Sequence, residues 1–196
     1  MKIILGSASK TRVRLLKEGG VFIDEIITAD LDEKKIRSDD FYLLPMLLAR
    51  AKRDVLLSKI QEDAFLITAD TVLFTGDVLL EKPESADEER TFFTYYNGVN
   101  VLEYATAVTV TNTKTGEMLD DTGVGKCMMG PFTSEFVEAY IQKGTYLNYA
   151  GGFTYFDKEF EGQVTFIDGS SPDPFLGLPV DLTKKLLLEL GYTFSL

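Results

Sequence analysis

The chain has 196 residues, 45% of them hydrophobic, enough for one domain with a substantial core. Its 20 Lys and Arg are outweighed by 31 Asp and Glu, and a net charge of −11 argues against general affinity for nucleic-acid polymers or anionic membranes. There is no histidine and one cysteine, Cys127, which excludes Ser–His–Asp and Cys–His catalysis, histidine zinc sites and an internal disulfide.

Ile3–Leu5 reads as a first strand, broken at Gly6 by small hydroxyl and basic residues. Thr11–Lys17 follows as a short helix with Val13 and Leu16 on one side and Gly19-Gly20 as its stop. "EIITADLDEKK" is extended and runs into an acidic turn. "PMLLARAKRDVLLSKI" reads as a helix with Pro45 at its first position and Leu48, Ala51, Val55 and Lys59 stepping along one face. "AFLITAD" reads as a buried strand stopping at Asp70, continued by "TVLF" up to a turn at Thr75–Asp77. Ser85 and Glu88 form a capping box for a helix whose apolar face is Phe92, Phe93 and Tyr96. "YATAVTVTNTKTGEML" is a hairpin turning at Asn112–Gly116. A helix capped by Thr133 or Ser134 turns Phe136, Val137, Tyr140 and Ile141 inward, and "QVTFID" is a strand. A last helix has Pro179 near its start and Gly191 after its end. Strands and helices alternate without repeats or a linker, so the expected class is α/β with a mixed sheet. No run approaches the roughly 18 apolar residues of a membrane span. Ile3–Leu5 is too short for the apolar core of a secretion signal, and a lone cysteine suits a reducing compartment, so a cytoplasmic location is expected.

Four places interrupt this pattern with polar residues at element ends. Ser7–Arg12 is either an ordinary cap or an anion cradle, where small side chains and a helix N-terminus meet the donor fork of Arg12. Asp30–Glu33 is a solvated turn or part of a cation site. Asp70 ends an apolar run whose flanks are built for burial, which a carboxylate resists. Lys52, beside the apolar stripe of its helix, and Lys82, held extended by Pro83, are the basic members. Oxygen ligands from Glu33 and Asp70 with cations from Arg12, Lys52 and Lys82 are the parts needed for attack of water on a phosphoanhydride.

The order of motifs resembles the Maf family, known as nucleoside triphosphate pyrophosphatases. "SASKTRVRLL" stands where that family has a Ser-x-Ser-Pro-Arg-Arg loop and helix. "DLDE" matches its acidic turn, "LARAKRD" its Leu-Ala-x-x-Lys-Ala helix and "ITADTVL" its Ala-Asp-Thr strand. "LLEKP", "YAGGF" and "FLGLPVD" match further short motifs in order. The resemblance implies a single domain over 1–196 with a two-lobed Maf/ITPase-like fold: a long curved mixed sheet, flanking helices and a central cleft. It implies hydrolysis of a nucleoside triphosphate to the monophosphate and pyrophosphate with Mg²⁺ or Mn²⁺, in an enzyme that is often a homodimer. Asp70 falls on the family's catalytic acid, which activates water and binds metal, and Glu33 on an acid that helps place the metal. Ser7, Ser9, Arg12, Lys52 and Lys82 fall on phosphate-contacting positions, and Thr71 on one linked to substrate choice. The chain departs from the pattern at Thr11, where the family has the first arginine of its pair. It also departs at Tyr149, for a lysine, and at Phe156, for a glutamine. The first arginine and the glutamine are tied to substrate recognition, so Thr11 and Phe156 imply a different base preference; Lys10 replaces some of the lost charge without an arginine's fork. The alternative these departures suggest is a nucleotide-binding or regulatory module that no longer hydrolyses.

Overall fold

The computed structural model describes residues 1–168 and 171–194. β1 (Lys2–Leu5) carries three consecutive buried apolar side chains, Ile3, Ile4 and Leu5, the pattern of an interior parallel strand. It lies between β2 (Glu25–Ile26) and β3 (Ala64–Thr75), parallel to both, and its pairing ends at Leu5↔Ile26 and Leu5↔Ile67. β4 (Val78–Leu79) folds back antiparallel on the end of β3, across a turn at Gly76. β5 (Leu102–Asn112) and β6 (Met118–Met129) are neighbours; the turn between them is held by Asn112 Oδ1, which accepts from the Lys114 N–H. β7 (Val164–Ile167) pairs antiparallel with β6. The mixed sheet therefore has seven strands in the order β2-β1-β3-β5-β6-β7, with β4 off β3.

Six helices accompany the sheet: α1 (Lys10–Glu18), α2 (Leu44–Leu57), α3 (Ala86–Tyr95), α4 (Ser134–Gln142), α5 (Pro172–Phe175) and α6 (Val180–Glu189). Three of them start where a short polar side chain satisfies an orphan N–H group: Ser9 accepts from Arg12 N, Ser85 from Glu88 N and Thr133 from Phe136 N. The Glu88 carboxylate returns to the N–H of Glu84, one residue before the cap. None of the helices is long and apolar enough to cross a membrane, among the described residues.

The chain divides into two compact units, with boundaries inside β3, β5 and β6. Unit 1 comprises residues 1–71, 105–123 and 173–196, and unit 2 comprises 72–104 and 124–172. The core of unit 1 includes Ile4, Leu56, Ala64 and Leu66, with Ile27 and Ile60 packed on it. Unit 2 is held by an aromatic cluster in which Phe93 lies edge-on to Tyr96, Phe132 and Tyr140, with ring centroids 5.5, 5.3 and 5.9 Å away.

Two elements differ from the expectation in ways that matter. β3 is continuous, so Asp70 lies within a strand and not at its end. What ends near Asp70 is the pairing with β1, three residues earlier at Ile67. The buried face of α2 is Pro45, Leu48, Ala49 and Leu56, not the Leu48, Ala51, Val55, Lys59 row, and Lys59 is exposed. With i, i+3 and i+4 spacing, that rotation puts Lys52 on the buried stripe.

Gly6 is where β1 gives way to the loop before α1. Its N–H donates to the Ile67 carbonyl at 2.8 Å, and a Cβ there would lie 2.5 Å from Leu56 Cδ1 and 2.7 Å from Thr68 Cγ2. Gly6→Ala is expected to destabilise the protein by about 1–3 kcal/mol through overpacking, read as a lower urea midpoint. An unchanged midpoint would show that α2 can yield there.

Candidate functional site

All the side chains of this site lie in unit 1. The loop after β1 is organised by its own hydroxyls: the Ser7 side chain accepts from Ser9 N at 3.2 Å, and Ser9 caps α1. The Lys10 and Thr11 N–H groups, in the first turn, have no intrahelical carbonyl to reach. Arg12, one turn in, is anchored on three sides. Its Nε donates to Gly177 O at 2.8 Å, Nη1 to Ser7 Oγ at 3.1 Å and Nη2 to Thr71 Oγ1 at 3.2 Å. That uses three of a guanidinium's five N–H donors and leaves two for an anion.

Thr71 is held in turn by Thr106. The Thr106 hydroxyl lies 2.8 Å from Thr71 Oγ1 and 2.6 Å from the Pro174 carbonyl oxygen. A carbonyl only accepts, so the Thr106 proton goes to Pro174 and its lone pair is left for Thr71. The Gly177 carbonyl lies beyond α5 and Thr106 on β5, so the guanidinium joins segments far apart in sequence.

The second cluster is built on α2. Thr68 donates to the Ala49 carbonyl at 2.8 Å and lies 2.7 Å from the Thr109 hydroxyl, which pins α2 to the sheet. Residues two apart on a strand share a face, and residues three apart on a helix are neighbours. Asp70 therefore meets Lys52 where Thr68 meets Ala49. Lys52 Nζ bonds Asp70 Oδ1 directly and reaches Glu33 Oε1 at 3.1 Å. The Lys52 and Asp70 side chains are only 12% and 10% exposed, while that of Glu33 is 52% exposed.

Burial pushes the Asp70 carboxyl above its ordinary range; the positive charges of Lys52 and Arg12 pull it back, and Glu33 adds a smaller upward push. Burial lowers Arg12, opposed by Asp70 and Glu33, and a guanidinium stays charged through such shifts. The cluster is thus a buried acid bonded to an ammonium, with a second acid at its solvent side. Among the described residues, no three or more Asp, Glu, Cys or His gather into a metal cage. The two carboxylates on Lys52 are the oxygen donors present.

The structure brings together Ser7, Ser9, Arg12 and Thr71, and separately Glu33, Lys52 and Asp70. Lys10 is exposed and Thr11 half-buried on α1. Lys82, exposed between β4 and α3, and Phe156, half-buried with its ring 6.2 Å from that of Tyr155, both belong to unit 2. Sequence reasoning passed over Thr106 and the Gly177 carbonyl. The hydroxyls in "YATAVTVT" were the available signal, because Thr106, Thr109 and Thr111 are all buried on β5.

Residues 2–190 match the family model described as Maf-like protein. A 7-methyl-GTP pyrophosphatase of Dictyostelium discoideum is 32% identical, aligned over 96% of this chain and 97% of its own. A dTTP/UTP pyrophosphatase of Hyphomonas neptunium is 32% identical over 97% and 96%. A nucleoside triphosphate pyrophosphatase of a Synechococcus strain is 31% identical over 98% and 96%. Among solved structures, the Staphylococcus aureus Ham1 protein is similar in fold with a TM-score of 0.50, covering 97% of this chain and 100% of its own at 13% identity.

Removing one partner of a buried ion pair leaves the other charge uncompensated. Lys52→Met is expected to lower the unfolding free energy by roughly 3–5 kcal/mol. Adding Asp70→Asn should restore part of that loss, because the orphaned charge is gone; urea unfolding of both variants checks it. A double variant no more stable than Lys52→Met would mean that the pair is not what Lys52 stabilises.

Proposed function

The chain belongs to the Maf family, and on that premise we propose that it is a nucleoside triphosphate pyrophosphatase, releasing pyrophosphate and leaving the nucleoside monophosphate. The relatives named above differ in base, and what their names share is a nucleoside triphosphate. The observation that carries the reading is the Asp70–Lys52–Glu33 cluster, a buried carboxylate held beside an ammonium in the same unit as the Arg12 loop.

Each group has a part. The two spare N–H donors of Arg12, with the N–H groups of the first turn of α1 and the Ser7 and Ser9 hydroxyls, bind phosphate oxygens. The Gly177 carbonyl and the Ser7 and Thr71 hydroxyls orient the guanidinium, with Thr106 behind Thr71. Lys52 opposes the effect of burial on Asp70 and adds positive charge where the phosphates gather. Asp70 accepts a proton from the water that attacks the α-phosphorus. Family resemblance alone puts Lys82 on a phosphate-contacting position and Phe156 on one tied to substrate recognition.

A divalent cation fits these residues. Glu33 and Asp70 are hard oxygen donors already gathered around a positive charge. Mg²⁺ and Mn²⁺ are commonly held by one or two carboxylates with phosphate oxygens and water completing the shell, so no larger acidic cage is required. When bound, the cation would neutralise phosphate charge and polarise a coordinated oxygen.

A pyrophosphate-release assay across canonical and modified nucleoside triphosphates tests the assignment. Asp70→Asn should lose activity by at least ~100-fold with its far-ultraviolet spectrum retained. Near-normal turnover in that variant removes Asp70 from the chemistry, and binding without turnover of any triphosphate by the natural protein favours the regulatory alternative. Stripping the protein with EDTA should abolish release, and adding back Mg²⁺ or Mn²⁺ should restore it; full activity in EDTA would remove the cation from the reading.

A further inference from the structure

Glu89, on α3 in unit 2, takes no part in the site above. It is 0% exposed, and among the described residues neither of its carboxyl oxygens has a hydrogen-bond partner. Its head lies over Gly152, where an added Cβ would be 1.7 Å from Oε2 and 2.3 Å from Cδ. The carboxyl thus occupies the place a side chain at residue 152 would take.

That glycine belongs to a tight turn, Ala150–Gly152, in which Gly151 and Gly152 have φ of +70° and +77°. The polar groups of the turn are already engaged. Tyr96 donates its hydroxyl to Gly151 O at 2.7 Å, Tyr140 donates to Gly152 O at 3.1 Å, and the Gly151 N–H is shared by the carbonyls of Leu80 and Glu81. Glu89 therefore meets an already satisfied backbone and a glycine Cα. An ionised carboxylate with no donor is poorly tolerated in such a place, and a neutral acid fits.

The groups facing Glu89 do not supply a compensating charge. Glu88, on its own helix, is another acid; from the segment after α3 comes Tyr96, from α4 Tyr140, and from the turn only backbone. Cys127 faces Tyr96, while Asp157 and Glu159 face Tyr140. Burial holds both phenols well above their ordinary values and pushes the Cys127 thiol up to about 12, so these keep their protons where Glu89 changes. Burial first, and Glu88 second, push Glu89 from 4.5 up to about 8.

We propose that Glu89 is a proton-loaded positioning residue: as the neutral acid it seats the Ala150–Gly152 turn, and with it the Tyr149–Phe156 stretch, and loss of its proton unseats them. The consequence for substrate rests on the pyrophosphatase reading, in which Phe156 falls on a position tied to substrate recognition; the consequence for the turn does not. Because the folded value is raised, the stabilisation is whole below about 4.5, falls as pH rises towards about 8 while unfolding releases a proton, and is spent above it.

The test compares the natural protein with Glu89→Gln, a neutral isostere, from about pH 5 to about pH 9. Relative to the Gln variant, the natural protein's unfolding constant should rise by up to about tenfold per pH unit and level off near the top of that range. Amide exchange at Gly151 and Gly152 should quicken with pH in the natural protein and not, beyond the intrinsic rate, in Glu89→Gln. KM for a triphosphate should rise in the same interval in the natural protein alone, with kcat following the same profile in both. Parallel unfolding and exchange profiles overturn the proposal. Gly152→Ala, made in the natural and the Glu89→Ala backgrounds, tests the steric half. Both pay for the positive φ, and only the first pays for the clash, so the cost should be larger there; equal costs overturn the seating. If no triphosphate is turned over, the pyrophosphatase reading fails, while the unfolding and exchange profiles still decide the role of Glu89.

Discussion

A carboxylate buried within a strand can persist only if something positive reaches it, and for Asp70 that is Lys52 directly, with the charge of Arg12 adding to it. The requirement reaches well beyond the pair. An ammonium on a long, flexible stem neutralises Asp70 only if its helix is set at the right height and rotation, and two contacts arrange that. The Thr68 hydroxyl grips the Ala49 carbonyl one turn before Lys52, and Leu48, Ala49 and Leu56 bury the adjoining face. Gly6 lets α2 approach, since even one methyl group there would meet Leu56. The polar pair and the core beneath it are one construction, in which packing supplies the precision and the pair supplies the chemistry.

Arg12 presents the complementary problem, a buried cation that must not spend all its donors on the protein. Three N–H groups are committed to Gly177 O, Ser7 Oγ and Thr71 Oγ1, and each anchor is itself constrained. The guanidinium is therefore held before a ligand arrives, so less ordering entropy is lost on binding. Serine, threonine and a glycine carbonyl are suited to this role because they orient a cation without neutralising it.

The two buried carboxyl groups of this chain show opposite answers to one cost. Asp70 meets an ammonium and a guanidinium, and the downward pull of those charges opposes the effect of burial. Glu89 meets tyrosines whose hydroxyls are turned to carbonyls, a neighbouring acid and the Cα of Gly152, and nothing opposes the upward push. The first arrangement sets positive charge against burial at the candidate site, whereas the second favours a proton and uses the neutral head as a packing piece.

Much of the chemistry was legible in the amino-acid order, because it depends on residue type and local spacing. The absence of histidine limited the acids and bases to carboxylates, amines and phenols. Ser85 announced one helix start and Thr133 or Ser134 another, since a cap is made with a residue three positions on. The motif sequence placed Asp70, Lys52, Glu33 and Arg12 as a set. Tertiary structure alone decided the rest. Whether Lys52 lay on the buried face of α2 depended on how that helix docks on β3, and periodicity in a stretch rich in leucine and alanine admits more than one apolar face. Thr106 and the Gly177 carbonyl became anchors only when β5 and the segment after α5 were brought to Arg12. Nothing in the amino-acid order singled out Glu89, because a space opened by a glycine 63 residues away leaves no mark on the local pattern around it.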